Sequence, residues 1–286
     1  MAFNFLTEDE RFATGIRFAS RHILRFGVAL LGLRITTGEV MDLGWPVVGL
    51  IVASVVATIL IGGLIGRAFG LNKDQSILSA GAVAICGASA ALAIASVLPP
   101  HKDHERNTIL TVAGVTALST VAMVLYPVFV TYLGYDNATA GIFLGATIHD
   151  VAQVVGAGYI ISDQTGEIST LVKLIRVACL VPVVITISLV MHRHRSPDAA
   201  GGPLLPWFLV AFVALVIVNS AGWVPDQLHA ALTPVSSWCL LTAVAALGVK
   251  TSLKALADVG PKPVSVMVLQ TVFLAVFVIG GIALIR

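Results

Sequence analysis

The stretch Gly145-Ala-Thr-Ile-His-Asp-Val-Ala-Gln-Val-Val-Gly-Ala-Gly158 sets an ionisable pair, His149-Asp150, and an amide, Gln153, inside an otherwise apolar run. Its meaning depends on what surrounds it. Mean hydropathy is +0.96, with 57% hydrophobic and only 11% charged residues, whereas about 25% of the residues in soluble domains are charged. Runs such as Val47 to Ile65, Ile109 to Val130 and Val264 to Ile285 approach the roughly 20 residues that cross about 30 Å of hydrocarbon. They lack the alternation of barrel strands, so the spans are helices, in which each backbone group is satisfied within its own segment. The expected fold class is all-α, a polytopic transmembrane helical bundle, and polar groups buried in such a bundle point to function.

Nine hydrophobic elements follow from the turn and breaker signals: about 23 to 36, 46 to 68, 75 to 98, 108 to 133, 138 to 161, 169 to 191, 204 to 221, 232 to 250 and 262 to 285. The first is a weak span, since Arg25 and Arg34 leave only eight apolar or glycine residues between them. Residues 1 to 22 carry no basic-then-apolar order and no small-residue cleavage site, so they are not a signal peptide. They read as an interfacial amphipathic helix with Thr7-Glu-Asp-Glu10 as its capping box, ahead of a single transmembrane domain from 23 to 286. Cys86, Cys179 and Cys239 lie within apolar runs without Cys-x-x-Cys spacing and read as small buried apolar groups.

Basic residues give orientation. Arg11, Arg17, Arg21 and Arg25 in the tail favour a cytoplasmic N-terminus. If all nine elements crossed fully, Lys102 and Arg106 would lie outside and the strip 133 to 138, which carries no Lys or Arg, inside, which the positive-inside rule disfavours. Making 75 to 98 and 138 to 161 re-entrant or broken removes the conflict. A repeat supports this layout: Gly32-Leu-Arg-Ile-Thr36 with Asp42-Leu-Gly44 matches Gly248-Val-Lys-Thr-Ser252 with Asp258-Val-Gly260. The two copies leave helices of opposite direction, and inverted repeats with broken helices are a transporter signature.

On a helix, His149, Asp150 and Gln153 share neighbouring strips. Gly141, Gly145, Gly156 and Gly158 make their flanks suited to close packing or unwinding. An opened helix there, or at Ile85-Cys-Gly-Ala-Ser-Ala-Ala91, would turn backbone N–H groups toward an anion. Small-residue helix packing explains the second segment equally well. Arg176, within the span 169 to 191, is a buried cation that needs a partner, for which Asp150 or an anionic substrate would serve. Lys173 either snorkels to the headgroups or joins it. Arg34 and Lys250, equivalent in the repeat, read as interface anchors. His101-Lys-Asp-His104-Glu105 and His192-Arg-His194 read as solvated loops rather than metal sites.

Other classes are disfavoured. The chain has no Gly-x-x-x-x-Gly-Lys-Ser/Thr loop, no Gly-x-Ser-x-Gly elbow and no His-Glu-x-x-His helix. An intramembrane hydrolase with Ser89 as nucleophile and His149-Asp150 as base and orienter is a distant third reading, because the two, as helix neighbours, point about 100° apart and do not easily pair as a dyad.

Several segments carry a resemblance: Arg17-Phe-Ala-Ser to Arg34-Ile-Thr, Ile85-Cys-Gly-Ala-Ser-Ala, the stretch from Gly145, Lys173-Leu-Ile-Arg-Val, Pro206-Trp-Phe and Ala245-Ala-Leu-Gly-Val. In these the chain resembles the sulfate exporter family of bacterial inner-membrane proteins, over nearly its whole length. The resemblance implies a secondary transporter grouped with bile-acid and arsenite carriers, which use inverted repeats and broken, crossing helices. It implies sulfate or a related sulfur oxyanion as substrate. It also implies about two further helices before the segment matching Gly15-Ile-Arg-Phe18.

The expectation is therefore an ion-coupled exporter of a small anion in the bacterial inner membrane, and not an enzyme. Gly87, Ser89, Gly145, Thr147, His149, Gln153 and Arg176 would bind the anion, and Asp150 or His149 would carry the coupling proton. A channel or membrane sensor is the rival reading. No cofactor or metal is expected. The expected partners are a small inorganic or organic anion and the lipid bilayer, with homo-oligomerisation open and no nucleic acid.

Overall fold

A computed structural model describes residues 10–33, 38, 41, 43–99, 102–191, 207–250 and 261–285. Every regular element among them is helical. In chain order these are α1 (Glu10–Phe18), α2 (Leu24–Leu30), α3 (Trp45–Ala68), α4 (Lys73–Ala84), α5 (Ala88–Val97), α6 (His104–Tyr132) and α7 (Asn137–Thr147). They continue with α8 (Val151–Ile161), α9 (Asp163–Ala178), α10 (Leu180–Met191), α11 (Trp207–Ser220), α12 (Asp226–Lys250) and α13 (Pro261–Ile285). A π-helical turn, Ala19–Ile23, and a 3-10 turn, Leu31–Leu33, flank α2.

Four of the described helices are long and apolar enough to cross a bilayer: α3, α6, α9 continued into α10, and α13. Their faces are sorted as lipid demands. The first half of α3 buries Val47, Leu50, Ile51 and Val55 beside Ser54, whereas the second half buries Thr58, Gly62 and Gly66 and exposes Leu60 and Leu64. The second half, with small and polar groups inside and large apolar groups outside, is the reverse of a soluble helix, and lets neighbouring backbones approach closely.

Both stretches expected to be broken are broken. The run 75 to 98 is interrupted at Ile85-Cys86-Gly87 and the run 138 to 161 at Ile148-His149-Asp150. At the first break Gly87 takes φ 65 and ψ −122, a conformation open to glycine and strained for residues with a Cβ. At the second, Asp150 is extended and its carboxylate accepts the N–H of Ala152 at 2.9 Å, starting a new helix. Two other boundaries move. The element placed at 169 begins at Asp163, because the Ser162 hydroxyl caps Thr165 N. The element placed at 232 begins at Asp226, where Pro225 O accepts from His229 N at 3.0 Å, and Pro234 is carried inside the helix.

The chain folds as two compact units. One comprises Met1–Trp45 with Leu205–Ser252, the other Pro46–Leu204 with Leu253–Arg286. In the first, the Leu31–Leu33 turn lies so close to α11 that a Cβ on Gly32 would strike the Phe212 carbonyl. His229 Nε2 donates to Leu33 O at 2.8 Å and Ser236 Oγ to Gly27 O at 2.9 Å, satisfying carbonyls at the end of α2. In the second unit α7 presses on α9. A Cβ on Gly141 would lie 2.8 Å from Ile168 Cβ, and one on Gly145 2.7 Å from Val172 Cβ.

Most of the Thr7–Glu10 box, Arg34, the repeat copy beyond Lys250, His101 and His192–His194 lie outside the described residues. The repeat therefore rests on the sequence.

Candidate functional site

A helix leaves its last carbonyls without N–H partners, and in a membrane interior each such group costs several kcal/mol. The two breaks create two such ends, on α4 and α7. Both are closed by side chains from one face of α9, where Lys173 and Arg176 are three residues apart. Arg176 donates from Nε to Ala84 O at 3.0 Å and from Nη2 to Val83 O at 2.9 Å and Ala84 O at 2.8 Å. Its Nη1 donates to Gly145 O at 3.3 Å and Ile148 O at 3.2 Å. A guanidinium has five N–H groups, and all five are spent here. Lys173 Nζ donates to Ile85 O at 2.6 Å and Ile148 O at 2.9 Å, using two of three. Both side chains are fully buried. Arg176 thus finds its partners among backbone carbonyls, and Lys173 does not snorkel.

His149 joins the same cluster. It is completely buried, and its Nδ1 lies 3.1 Å from Val83 O while Nε2 lies 3.0 Å from Thr271 Oγ1 on α13. The breaks touch at this point, since a Cβ on Gly87 would sit 3.5 Å from His149 Cβ.

Asp150 is half-buried and its backbone N–H donates to Ser119 Oγ of α6 at 3.0 Å. Gln153, one turn on, donates from Nε2 to Thr120 Oγ1 at 2.8 Å. Its Oε1 is buried without a partner.

The remaining residues are placed unequally. Gly87 is the N-cap of α5, which has no side-chain cap, and Ser89 in the first turn is exposed. Gly145 lies within the last turn of α7 rather than at a helix start; its carbonyl serves Arg176 and its α-carbon packs on α9. Thr147 is fully buried and its hydroxyl donates to Phe143 O at 2.6 Å. Sequence reasoning missed Thr271, Gln270, Ser119 and Thr120. The signal was present, because Gln270-Thr271 and Ser119-Thr120 are polar pairs inside apolar spans, as His149-Asp150 is.

These features define a polytopic α-helical membrane protein whose two broken helices meet at their breaks over a pair of buried cations. The chain belongs to the family described as conserved hypothetical protein 698, whose model matches residues 1–267. It is 54% identical over 285 residues to a UPF0324 membrane protein of Chlorobaculum tepidum, covering 99% of this chain and 80% of that protein. It is 50% identical over 288 residues to the UPF0324 membrane protein TauZ of Paracoccus pantotrophus, covering 99% and 85%. TauZ of Paracoccus denitrificans is 49% identical over 286 residues, with the same coverage. No solved structure matches the chain.

Proposed function

We propose that this protein is a secondary transporter of a small anion, with sulfate or a related sulfur oxyanion as its substrate and an ion gradient as its drive. It works in the bacterial inner membrane with a cytoplasmic N-terminus, and no catalytic step enters. The observation that carries the reading is the pair of half-helix starts held at one point beside two buried cations. At α8 the Asp150 carboxylate already occupies the place an anion takes at a helix start. At α5 the N-cap is a glycine with no side chain to close the turn, and the Cys86 thiol takes only the Ala90 N–H.

The anion is held at the start of α5, by the amides following Gly87 and the Ser89 hydroxyl. Gln153 meets it with Nε2, after its amide turns over and gives up the bond to Thr120. Arg176 and Lys173 act on it through their charge, because Arg176 has no N–H left to give. Thr147 and Gly145 hold the end of α7 in place. The His149-Asp150 pair carries the coupling proton, and alternating access exposes the site to either side in turn.

The test is labelled sulfate counterflow in liposomes holding the purified chain, with sulfite and taurine as competitors. Saturable exchange that competitors suppress supports the carrier. Flux that never saturates and shows no counterflow turns the reading into a channel.

A further inference from the structure

We propose that His149, rather than Asp150, carries the proton, and that the proton reaches it along a buried file of polar groups on α3, α4 and α13. The inference rests on the transporter reading above. Three observations carry it.

The first is hydrogen-bond bookkeeping around the imidazole. Val83 O can only accept, so His149 Nδ1 bears a hydrogen. The other nitrogen faces a hydroxyl, which both donates and accepts. In neutral His149, Nε2 accepts the Thr271 hydrogen. In cationic His149, Nε2 donates to Thr271 Oγ1, and the Thr271 hydrogen turns to Met267 O at 2.8 Å. One hydroxyl rotation therefore keeps the His149–Thr271 bond in both charge states, with the bond to Met267 O made only when His149 is charged.

The second is a row of buried polar side chains. Gln270, beside Thr271, donates from Nε2 to Ser79 Oγ at 3.1 Å and to Gly62 O at 2.9 Å. Ser79 donates to Ser76 O at 3.3 Å, and Ser76 to Asn72 O at 2.8 Å. Asn72 is exposed at the start of α4, so polar side chains stand at intervals from the protein exterior to Gln270, and the step from Gln270 to Thr271 falls to water.

The third is a pair of unpaired oxygens. Gln270 Oε1 and Thr58 Oγ1 are buried without hydrogen-bond partners, and Thr58 lies one helical turn before Gly62 on the same buried strip of α3. Buried polar groups are ordinarily satisfied by protein or water, and water held by these two oxygens completes a relay. An isolated polar group with no partner is otherwise costly, and Thr58 has an apolar isostere in valine.

The charges around His149 settle when it loads. Lys173 and Arg176 face it from α9, Cys86 stands at the first break and Asp150 is its neighbour in the chain; α13 and α6 contribute the neutral Thr271 and Ser119. A third positive charge here is favoured only when an anion is bound nearby, so proton and anion load together and move in the same direction.

Liposomes loaded with pyranine read both movements. A sulfate gradient across wild-type vesicles is expected to move protons with the sulfate. Thr58→Val and Gln270→Leu are expected to lose that proton movement while keeping labelled sulfate exchange. Thr58→Val deletes a hydroxyl that holds nothing in the protein, so misfolding does not explain its effect. Thr271→Ser is expected to keep coupling and Thr271→Val to lose it. Sulfate exchange without proton movement in the wild type, or coupling unchanged in Thr58→Val and Gln270→Leu, overturns the inference and leaves the transporter standing. Absence of sulfate exchange in the wild type overturns both.

Discussion

The two breaks have the same outline and opposite chemistry. At Ile85-Cys86-Gly87 the chain turns on the backbone freedom of one glycine, and the helix that follows has no side chain on its N-cap, only the Cys86 thiol against Ala90 N–H and an exposed serine. At Ile148-His149-Asp150 it turns on side chains: Asp150 closes the new helix start and His149 reaches across to α4 and α13. What they share comes from a third element, since Lys173 and Arg176 of α9 close the carbonyl ends of both. The pair shows how one interruption rests on a glycine backbone while its counterpart is filled by side chains from within.

The sharpest way to break the comparison is to remove what the breaks share. Arg176→Leu orphans carbonyls at both ends, and its cost is expected to be several times the roughly 1–3 kcal/mol of one buried unpaired group. The protein should not survive solubilisation in mild detergent, as followed by size-exclusion and thermal melting. Gly87→Ala strikes the first break alone. Its Cβ has room, at 3.5 Å from His149 Cβ, so the cost is backbone strain of roughly 1–3 kcal/mol, seen as a lower melting temperature of the folded protein.

The second break is probed at its cap. Asp150→Ala should cost about 1 kcal/mol while Asp150→Asn, which keeps the capping oxygen, should be close to neutral. Asp150→Asn should also keep proton-coupled flux, as expected if His149 carries the proton. Ser89→Ala gives the smallest change in stability, within about 0.5 kcal/mol for an exposed side chain. It sharpens the contrast all the same, since losing one hydrogen bond to a bound anion should raise the sulfate concentration for half-maximal exchange about tenfold.

Much of this fold is readable from composition and punctuation. The lengths of apolar runs give the spans, and the conflict in basic residues at Lys102 and Arg106 locates the two interrupted segments before any coordinates do. His149-Asp150 is visible because charge in an apolar run is costly. What escapes is pairing over long range. Arg176 reads from the sequence as a cation in want of an anion, because nothing local shows that broken helices will offer it carbonyls 28 to 93 residues away. Gln270 and Thr271 escape for a different reason. They bear no charge, and a polar pair in a long apolar helix is easily passed over until His149 is found against it.

The grip of α9 on both breaks has a mechanical consequence. One planar group is bolted to two crossing segments at once, so neither can tilt, slide or unwind without tearing its bonds to the other. Stiffness of this kind makes the two breaks one mechanical part, which shifts as a unit or not at all.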